Sequence, residues 1–96
     1  MPRVEWSEEA VRSLDRLIQT HSLPADTKAR LKRSVRPLRR FPLIGPAVHA
    51  RGHELRFIVG PWRWLIVVYV YFEDEDRVVI LSVEDGRSST ATTARR

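Results

Sequence analysis

Side chains that commonly carry out chemistry are scarce in this sequence. The chain has no cysteine, which excludes disulfides, cysteine-ligated zinc and thiol catalysis. Its three histidines, His21, His49 and His53, have neither the spacing of metal ligands nor a carboxylate partner in a motif. The four glycines are isolated from one another, so no glycine-rich phosphate loop exists. The sequence therefore predicts no metal and no cofactor.

Positive charge is the chemical feature in which the sequence is rich. Lysine and arginine number 17 against 12 acids, a net charge of +5, and 15 of the 17 are arginine. Residues 28–63 contain ten of these basic residues and a single acid, Glu54. Arginine suits carboxylate and phosphate recognition, because its planar guanidinium forms paired hydrogen bonds. This segment is either solvated surface or a positive field that faces nucleic acid or an acidic protein segment.

Length and hydropathy predict one small domain. A chain of 96 residues closes a single hydrophobic core, and 43% apolar with 30% charged residues is a globular composition. The longest apolar run, residues 64–72, is far shorter than the roughly 20 residues of a membrane helix. The N-terminus lacks the apolar stretch of a secretory signal. We therefore expect a cytoplasmic protein without membrane contact.

Two helices are predicted in the N-terminal half to position the basic residues. A short strand over residues 4–6 leads to Ser7, an N-cap residue followed by two acids. An apolar stripe of helical period predicts a first helix as far as residues 20–21. Pro24 suits the start of a second helix, which Pro37 should kink or end, and the short connection predicts an antiparallel hairpin. The outer side of the second helix is basic throughout: Lys28, Arg30, Lys32, Arg33, Arg36, Arg39 and Arg40.

Three strands are predicted in the C-terminal half, over residues 53–59, 62–72 and 77–84. Short connections at 60–61 and 73–76 predict hairpins in which Val59 opposes Trp62 and Phe72 opposes Arg77. Opposed residues share a face, so this register sorts the side chains into two sets. The apolar set predicts the core beneath the helices: Leu55, Phe57, Val59, Trp62, Trp64, Ile66, Val68, Val70, Phe72, Val79, Leu81 and Val83. The mixed set predicts an open face: Arg56, Ile58, Arg63, Leu65, Val67, Tyr69, Tyr71, Val78, Ile80, Ser82 and Glu84.

The order and spacing of several short motifs resemble one group of proteins. The chain begins Val-Glu-Trp-Ser-Glu-Glu-Ala, and Leu38, Pro42 and Gly45 form Leu-x-x-x-Pro-x-x-Gly. Further motifs are Leu55-Arg56, Trp62-Arg63, Val67-Val68-Tyr69 and a last strand that runs into Gly86-Arg87. This pattern resembles the RelE/ParE superfamily, the toxins of bacterial type II toxin–antitoxin modules.

The resemblance and the predicted elements agree on an α+β fold. An N-terminal strand and an antiparallel helical hairpin should pack on one face of a small antiparallel β-sheet. Residues 1–87 should form the single toxin domain, and residues 88–96 a polar, disordered tail.

The superfamily resemblance implies two alternative activities. RelE-like toxins cut messenger RNA on the ribosome, and their basic positions fall here on Arg56, Arg63 and Arg87, which would then be catalytic as a phosphate clamp. Against this activity, Glu54 stands where those enzymes carry a lysine, and no C-terminal tyrosine or histidine is present for proton transfer. ParE-like toxins inhibit DNA gyrase by protein contact, and the missing proton-transfer group favours this activity slightly. A third alternative is a non-catalytic nucleic-acid-binding module.

The resemblance also implies a cognate antitoxin as the partner. A partly apolar open face should be covered by a C-terminal segment of that antitoxin. The residues expected to bind the antitoxin or the target are Arg56, Arg63, Tyr69, Tyr71 and Arg87 on the sheet, and Arg33, Arg36 and Arg40 on the second helix.

Overall fold

Five strands form one sheet in the computed structural model, which describes residues 1–50 and 52–87. They are β1 (Arg3–Trp6), β2 (Ala47–Ala50), β3 (His53–Val59), β4 (Leu65–Phe72) and β5 (Arg77–Asp85). The order across the sheet is β1-β5-β4-β3-β2. The predicted α+β fold is confirmed: β2 to β5 pair antiparallel, and the N-terminal strand joins them by running parallel to β5, so the sheet as a whole is mixed. The predicted tail, residues 88–96, lies outside the described residues.

Two helices follow β1, as the sequence predicts. In α1 (Glu8–His21) the Ala10 N–H donates to the side chain of the N-cap Ser7 at 3.0 Å. The second helix, α2 (Thr27–Val35), continues as a 3₁₀ turn over Arg36–Arg39. Pro37 ends the α-helix as expected, because it has no N–H to continue the helical hydrogen bonds. None of the helices in the described ranges has the length and apolar character needed to cross a membrane.

The helices cover the sheet face that was predicted to be open. The core consists of Ala10, Leu14, Leu31, Val35, Leu38, Leu65, Val67, Tyr69, Val78, Ile80 and Val83. Of the set predicted to form the core, Val83 joins this cluster, Trp62 and Trp64 pack against it, and Val70 is buried outside it. The predicted assignment of the two faces is therefore wrong. Both faces are apolar, so hydrophobicity alone did not decide between them.

A β-bulge between β4 and β5 explains the exception. Tyr69 pairs with Ile80 and Val68 with Ser82, so Leu81 is an extra residue in β5. This insertion reverses the alternation of side chains along the rest of the strand. Val83 consequently lies on the covered face, whereas Val79, four residues earlier, lies on the other face.

The hairpin between β3 and β4 has a longer loop than predicted. Val59 pairs with Ile66 and not with Trp62, and Ile58 pairs with Val67. The Gly60 N–H donates to the Leu65 carbonyl at 2.8 Å and closes the loop. In contrast, the predicted pairing of Phe72 with Arg77 is confirmed. Strand β2 was not predicted; it pairs with β3 at the edge of the sheet.

Candidate functional site

The sheet face opposite the helices, called the open sheet face below, is a broad apolar surface. Its apolar members on β2 to β5 are Val48, Leu55, Phe57, Val59, Ile66, Val68, Val70, Phe72 and Val79. None of them belongs to the core cluster or packs against it. Val70 is buried, Val48 and Val59 are exposed, and the others are half-buried because they shield one another. Contiguous apolar surface of this kind marks a protein interaction site.

Charge on the open sheet face is confined to its margins and is mostly neutralised. Arg77 is the arginine that β3, β4 and β5 place on this face, and its guanidinium contacts Glu5 and Glu75 at 3.0 Å each. Those hydrogen bonds, first to Glu5 and then to Glu75, raise the pKa of Arg77. Glu84 accepts a hydrogen bond from the Ser82 hydroxyl at 2.9 Å. Arg3 lies on the edge strand beside Arg77. The centre of this face is therefore uncharged.

Arg56 lies on the covered face, contrary to the prediction. Its guanidinium donates to the carbonyls of Gly45 at 2.7 Å and Leu43 at 3.1 Å, and to Glu54 at 2.8 Å. Only 16% of its side chain is exposed. These contacts hold the segment between the 3₁₀ turn and β2 against the sheet. Arg56 is thus occupied by structural contacts.

Arg63 and Arg87 are exposed at the end of the sheet where β4 begins. Arg87 lies over the Trp64 ring at 4.6 Å and donates to Asp85 through its backbone N–H at 2.8 Å and its Nε at 3.2 Å. Arg56 pairs with Tyr69, four residues along β4 from the Leu65–Asp85 pair. At about 3.3 Å per residue the two backbone positions are roughly 13 Å apart. The Arg56 guanidinium is held at the Leu43 and Gly45 carbonyls, so it does not join Arg63 and Arg87 in a phosphate clamp.

Asp85 is the centre of a cluster that sequence reasoning missed. His21, at the end of α1, places Nε2 2.8 Å from Asp85 Oδ2, and its ring stacks on Trp64 with 5.1 Å between centroids. Trp64 stacks in turn on Trp62, which lies near Arg30. Hydrogen bonds from the Arg87 side chain, and further ones from the Arg87 N–H and His21, lower the pKa of Asp85 to about 2 despite desolvation.

The His21–Asp85 pair is not a general base for a substrate. Nε2 is engaged by Asp85, and Nδ1 is buried without a hydrogen-bond partner among the described residues. A general base needs a nitrogen within hydrogen-bond reach of the proton that it removes. The cluster therefore joins the end of α1 to the end of β5. No local motif could have revealed it, because the two residues lie 64 positions apart.

This cluster gives a pH prediction. A carboxyl whose folded pKa is about 2, against 3.8 ordinarily, stabilises the protein above pH 4, and this stability is lost as the pH falls to about 2. We expect Asp85→Asn to lower the free energy of unfolding on the order of 1–2 kcal/mol at neutral pH. The difference from the wild type should vanish between about pH 4 and pH 2 in urea titrations. A difference that is constant over this range would contradict the assignment.

The two tyrosines predicted to bind a partner differ in access. Tyr69 is fully buried; its hydroxyl accepts from the Gly45 N–H at 3.0 Å, and burial raises its pKa. Tyr71 is half-buried, and its hydroxyl donates to Asp76 at 2.8 Å, a bond that raises the pKa of Tyr71. Tyr71 also lines a cleft with Phe41, Leu43 and Ile44. Of the two, only Tyr71 reaches a surface that a partner can contact.

The outer surface of α2 and its 3₁₀ turn carries the densest charge. Five basic residues here have no carboxylate within 4.0 Å in the described part of the chain, and we call them the cationic helix face: Lys32, Arg33, Arg36, Arg39 and Arg40. Lys32, Arg36 and Arg39 also line a groove whose apolar wall includes Val4 and Trp6. The predicted residues Arg33, Arg36 and Arg40 are therefore brought together, and all three are exposed.

Residues able to hold a metal are not grouped in the described ranges, 1–50 and 52–87: three or more histidines or acids do not cluster there.

Comparison with known proteins identifies relatives by sequence and by fold. Residues 4–89 match the family described as ParE toxin of type II toxin–antitoxin system, parDE. No curated protein sequence matches the chain. The isolated E. coli RelE toxin has a similar structure, with a TM-score of 0.64 and 16% identity over 99% of this chain and 96% of that one. The RelBE2 toxin–antitoxin complex from Mycobacterium tuberculosis contains a similar chain, with a TM-score of 0.60 and 23% identity over 88% of this chain and 99% of that one.

Proposed function

The chain belongs to the ParE toxin family of type II toxin–antitoxin systems, and we propose that it arrests growth by protein contact with DNA gyrase, without catalysis of its own. The single observation that carries this proposal is that Arg56, one of the three arginines expected to form a phosphate clamp, is held by the Leu43 and Gly45 carbonyls and by Glu54. Cleavage of RNA needs cations aimed at the developing charge on phosphorus, whereas contact with a target protein does not.

A RelE-like endoribonuclease is the alternative, and the site geometry argues against it. Arg56 is engaged by carbonyl oxygens and Glu54, and Asp85 neutralises Arg87. His21 has no free nitrogen at the surface, and an arginine is a poor base because its pKa exceeds about 12. The exposed Arg63 is what remains in favour of cleavage. A plain nucleic-acid-binding module is supported only by the cationic helix face.

The partner that neutralises the toxin is a cognate antitoxin, and we propose that it binds the open sheet face. The sequence predicted that the antitoxin would cover the mixed set of residues, which lies beneath the helices in the structure. The physical reason for a covering segment holds for the open sheet face as well, since a bare apolar face of this extent is unfavourable in water. The antitoxin segment should therefore be apolar where it crosses Phe57 and Val68. Acidic residues in the same segment should reach Arg63 and Arg87 at the margin.

The cationic helix face is proposed to contact the target. We expect Arg33→Glu, Arg36→Glu and Arg40→Glu, combined, to abolish growth arrest and leave the fold intact, because exposed substitutions rarely change stability by more than about 0.5 kcal/mol each. The measurement is colony formation after induction, with circular dichroism to verify folding. As a control, Arg12→Glu and Arg16→Glu on α1 should leave growth arrest in place. Toxicity that survives the triple reversal would show that this surface only solubilises the protein.

Induction of the chain in bacteria without its antitoxin tests the proposed function. DNA and protein synthesis are followed separately by pulse labelling. A gyrase inhibitor should stop DNA synthesis first, cause double-strand breaks and produce filamentous cells, while translation continues for a time. In a purified assay, supercoiling by gyrase should fall as the toxin is added.

A ribosome-dependent nuclease gives the opposite order. Translation would stop at once, and transcripts would be cut within codons. If that cleavage were lost in Arg87→Ala, typically by about 100-fold for one such donor, the toxin would be an enzyme and the proposal would be wrong.

A further inference from the structure

The segment that joins the 3₁₀ turn to β2 displays apolar side chains to solvent. Phe41, Leu43 and Ile44 are 59%, 54% and 58% exposed. Together with Pro42, Tyr71 and Glu73 they line an open cleft of about 650 Å³. These residues lie away from the open sheet face, and apart from Tyr71 none of them was expected from the sequence to bind the antitoxin or the target.

This segment is rigid although its side chains are exposed. Arg56 binds its carbonyls at Leu43 and Gly45, and the Gly45 N–H donates to the buried Tyr69 hydroxyl. At its start the Phe41 N–H donates to the Pro37 carbonyl at 2.8 Å. A surface that is already ordered loses little conformational entropy on binding. Apolar side chains held in this way form a prepared contact surface.

Charge of opposite sign flanks the apolar centre. Phe41 lines the cleft that contains Glu73, and it also lines a second cleft with Arg39 and Arg40. Arg39 and Arg40 have no carboxylate within 4.0 Å, and Glu73 and Asp74 have no basic partner, among the described residues. Across this surface, basic residues lie on one side of the apolar centre and acidic residues lie on the other. We call it the bipolar patch.

We propose that the bipolar patch binds a second copy of this chain in a twofold-symmetric dimer. A twofold axis through the apolar centre puts Arg39 and Arg40 of each copy opposite Glu73 and Asp74 of the other. A partner with one sign of charge would be repelled by one flank, whereas the chain itself supplies the reverse order. The patch is small, so we expect the dimer to fall among the weak, transient interfaces that bury less than about 1,200 Å² in total.

Sedimentation velocity of the full chain, refolded after separation from its antitoxin, tests this proposal. The wild type should shift from monomer to dimer as its concentration rises through the micromolar range. Leu43→Asp should weaken the dimer at least about 30-fold, because it buries a charge at the centre. Val59→Asp is the matched control: Val59 is 52% exposed on the open sheet face, and its substitution should leave the dimer unchanged.

Charge exchange tests the symmetry. Arg40→Glu alone and Glu73→Arg alone should each weaken the dimer about tenfold, since each places like charges together twice. The double variant restores opposite charges across the axis and should return to within about threefold of the wild type.

The absence of cysteine provides a second measurement. Leu43→Cys should be linked to its symmetry mate by a short bismaleimide, whereas Val59→Cys should not. The proposal would be overturned if the wild-type chain stayed monomeric up to about 200 µM. It would also be overturned if Val59→Asp broke the dimer and Leu43→Asp did not, or if the double charge variant did not recover dimer formation. If the wild type is monomeric and Leu43→Asp binds the antitoxin more weakly than the wild type does, the patch binds the antitoxin and the proposal is wrong. None of these outcomes depends on gyrase.

Discussion

Val68→Asp is expected to weaken antitoxin binding by about 100-fold or more and to abolish neutralisation in cells. Val68 lies at the centre of the open sheet face, paired with Phe57 on β3 and with Ser82 on β5. An antitoxin segment that covers this point would bury the new carboxylate without a partner, which costs several kcal/mol. The measurement is isothermal titration of the refolded toxin with its antitoxin, alongside rescue of growth by coexpression.

Two further variants separate lost binding from lost folding. Val68→Thr keeps the volume and adds one hydroxyl, so binding should weaken by only about 3- to 10-fold. Leu43→Asp changes an equally apolar but distant surface and should bind the antitoxin like the wild type. If Val68→Asp is folded by circular dichroism and still binds with wild-type affinity, the antitoxin does not lie on the open sheet face.

Local signals in the sequence predicted the elements well. Ser7 caps α1 with the expected hydrogen bond, Pro37 ends α2, and β3 has the bounds that were predicted. Each of these depends on interactions within a few residues, which the sequence contains directly. Strand β2 was missed, because Ala-Val-His-Ala has little strand character of its own and is fixed by its pairing with β3.

The β3–β4 register was wrong for a reason visible in hindsight. A two-residue hairpin turn of the favoured type needs positive φ at both central positions, and proline at position 61 is fixed near −65°. The chain instead uses the residues from Gly60 to Trp64 as the loop. The resulting shift moves each partner by four positions, an even number, so the alternation of faces along β4 was unaffected.

The choice of the covered face could not be made from the sequence. Alternate positions of β4 are apolar on both sides, and Tyr69 and Tyr71 suggested the solvent side. The protein instead buries Tyr69 and satisfies its hydroxyl with a backbone N–H 24 residues away. His21 and Asp85 are even farther apart in the sequence, at 64 positions. Contacts of this kind form only in the assembled fold, and they determine which arginines remain available to bind a partner.

Gly45 shows what one of the family motifs does in this fold. A Cβ atom added to Gly45 would clash with the Phe57 carbonyl oxygen and lie 3.0 Å from the Tyr69 hydroxyl. The closer of these is a backbone atom within the sheet, which cannot move aside as a flexible side chain can. The glycine at the end of Leu-x-x-x-Pro-x-x-Gly is therefore required for close approach of this segment to β3.

We accordingly expect Gly45→Ala to lower the free energy of unfolding by about 3 kcal/mol or more. The displaced segment would also lose the Gly45 N–H bond to Tyr69 and loosen the Arg56 contact to the Gly45 carbonyl. Gly52→Ala is the control, since its Cβ would contact nothing within 4 Å and only its φ of +78° opposes it, at about 1 kcal/mol. Urea unfolding of the three chains gives both differences. Since Gly45 does not have a positive φ, a larger loss in Gly45→Ala than in Gly52→Ala is the result that the close approach to Phe57 requires. A loss in Gly45→Ala no larger than that in Gly52→Ala would contradict it.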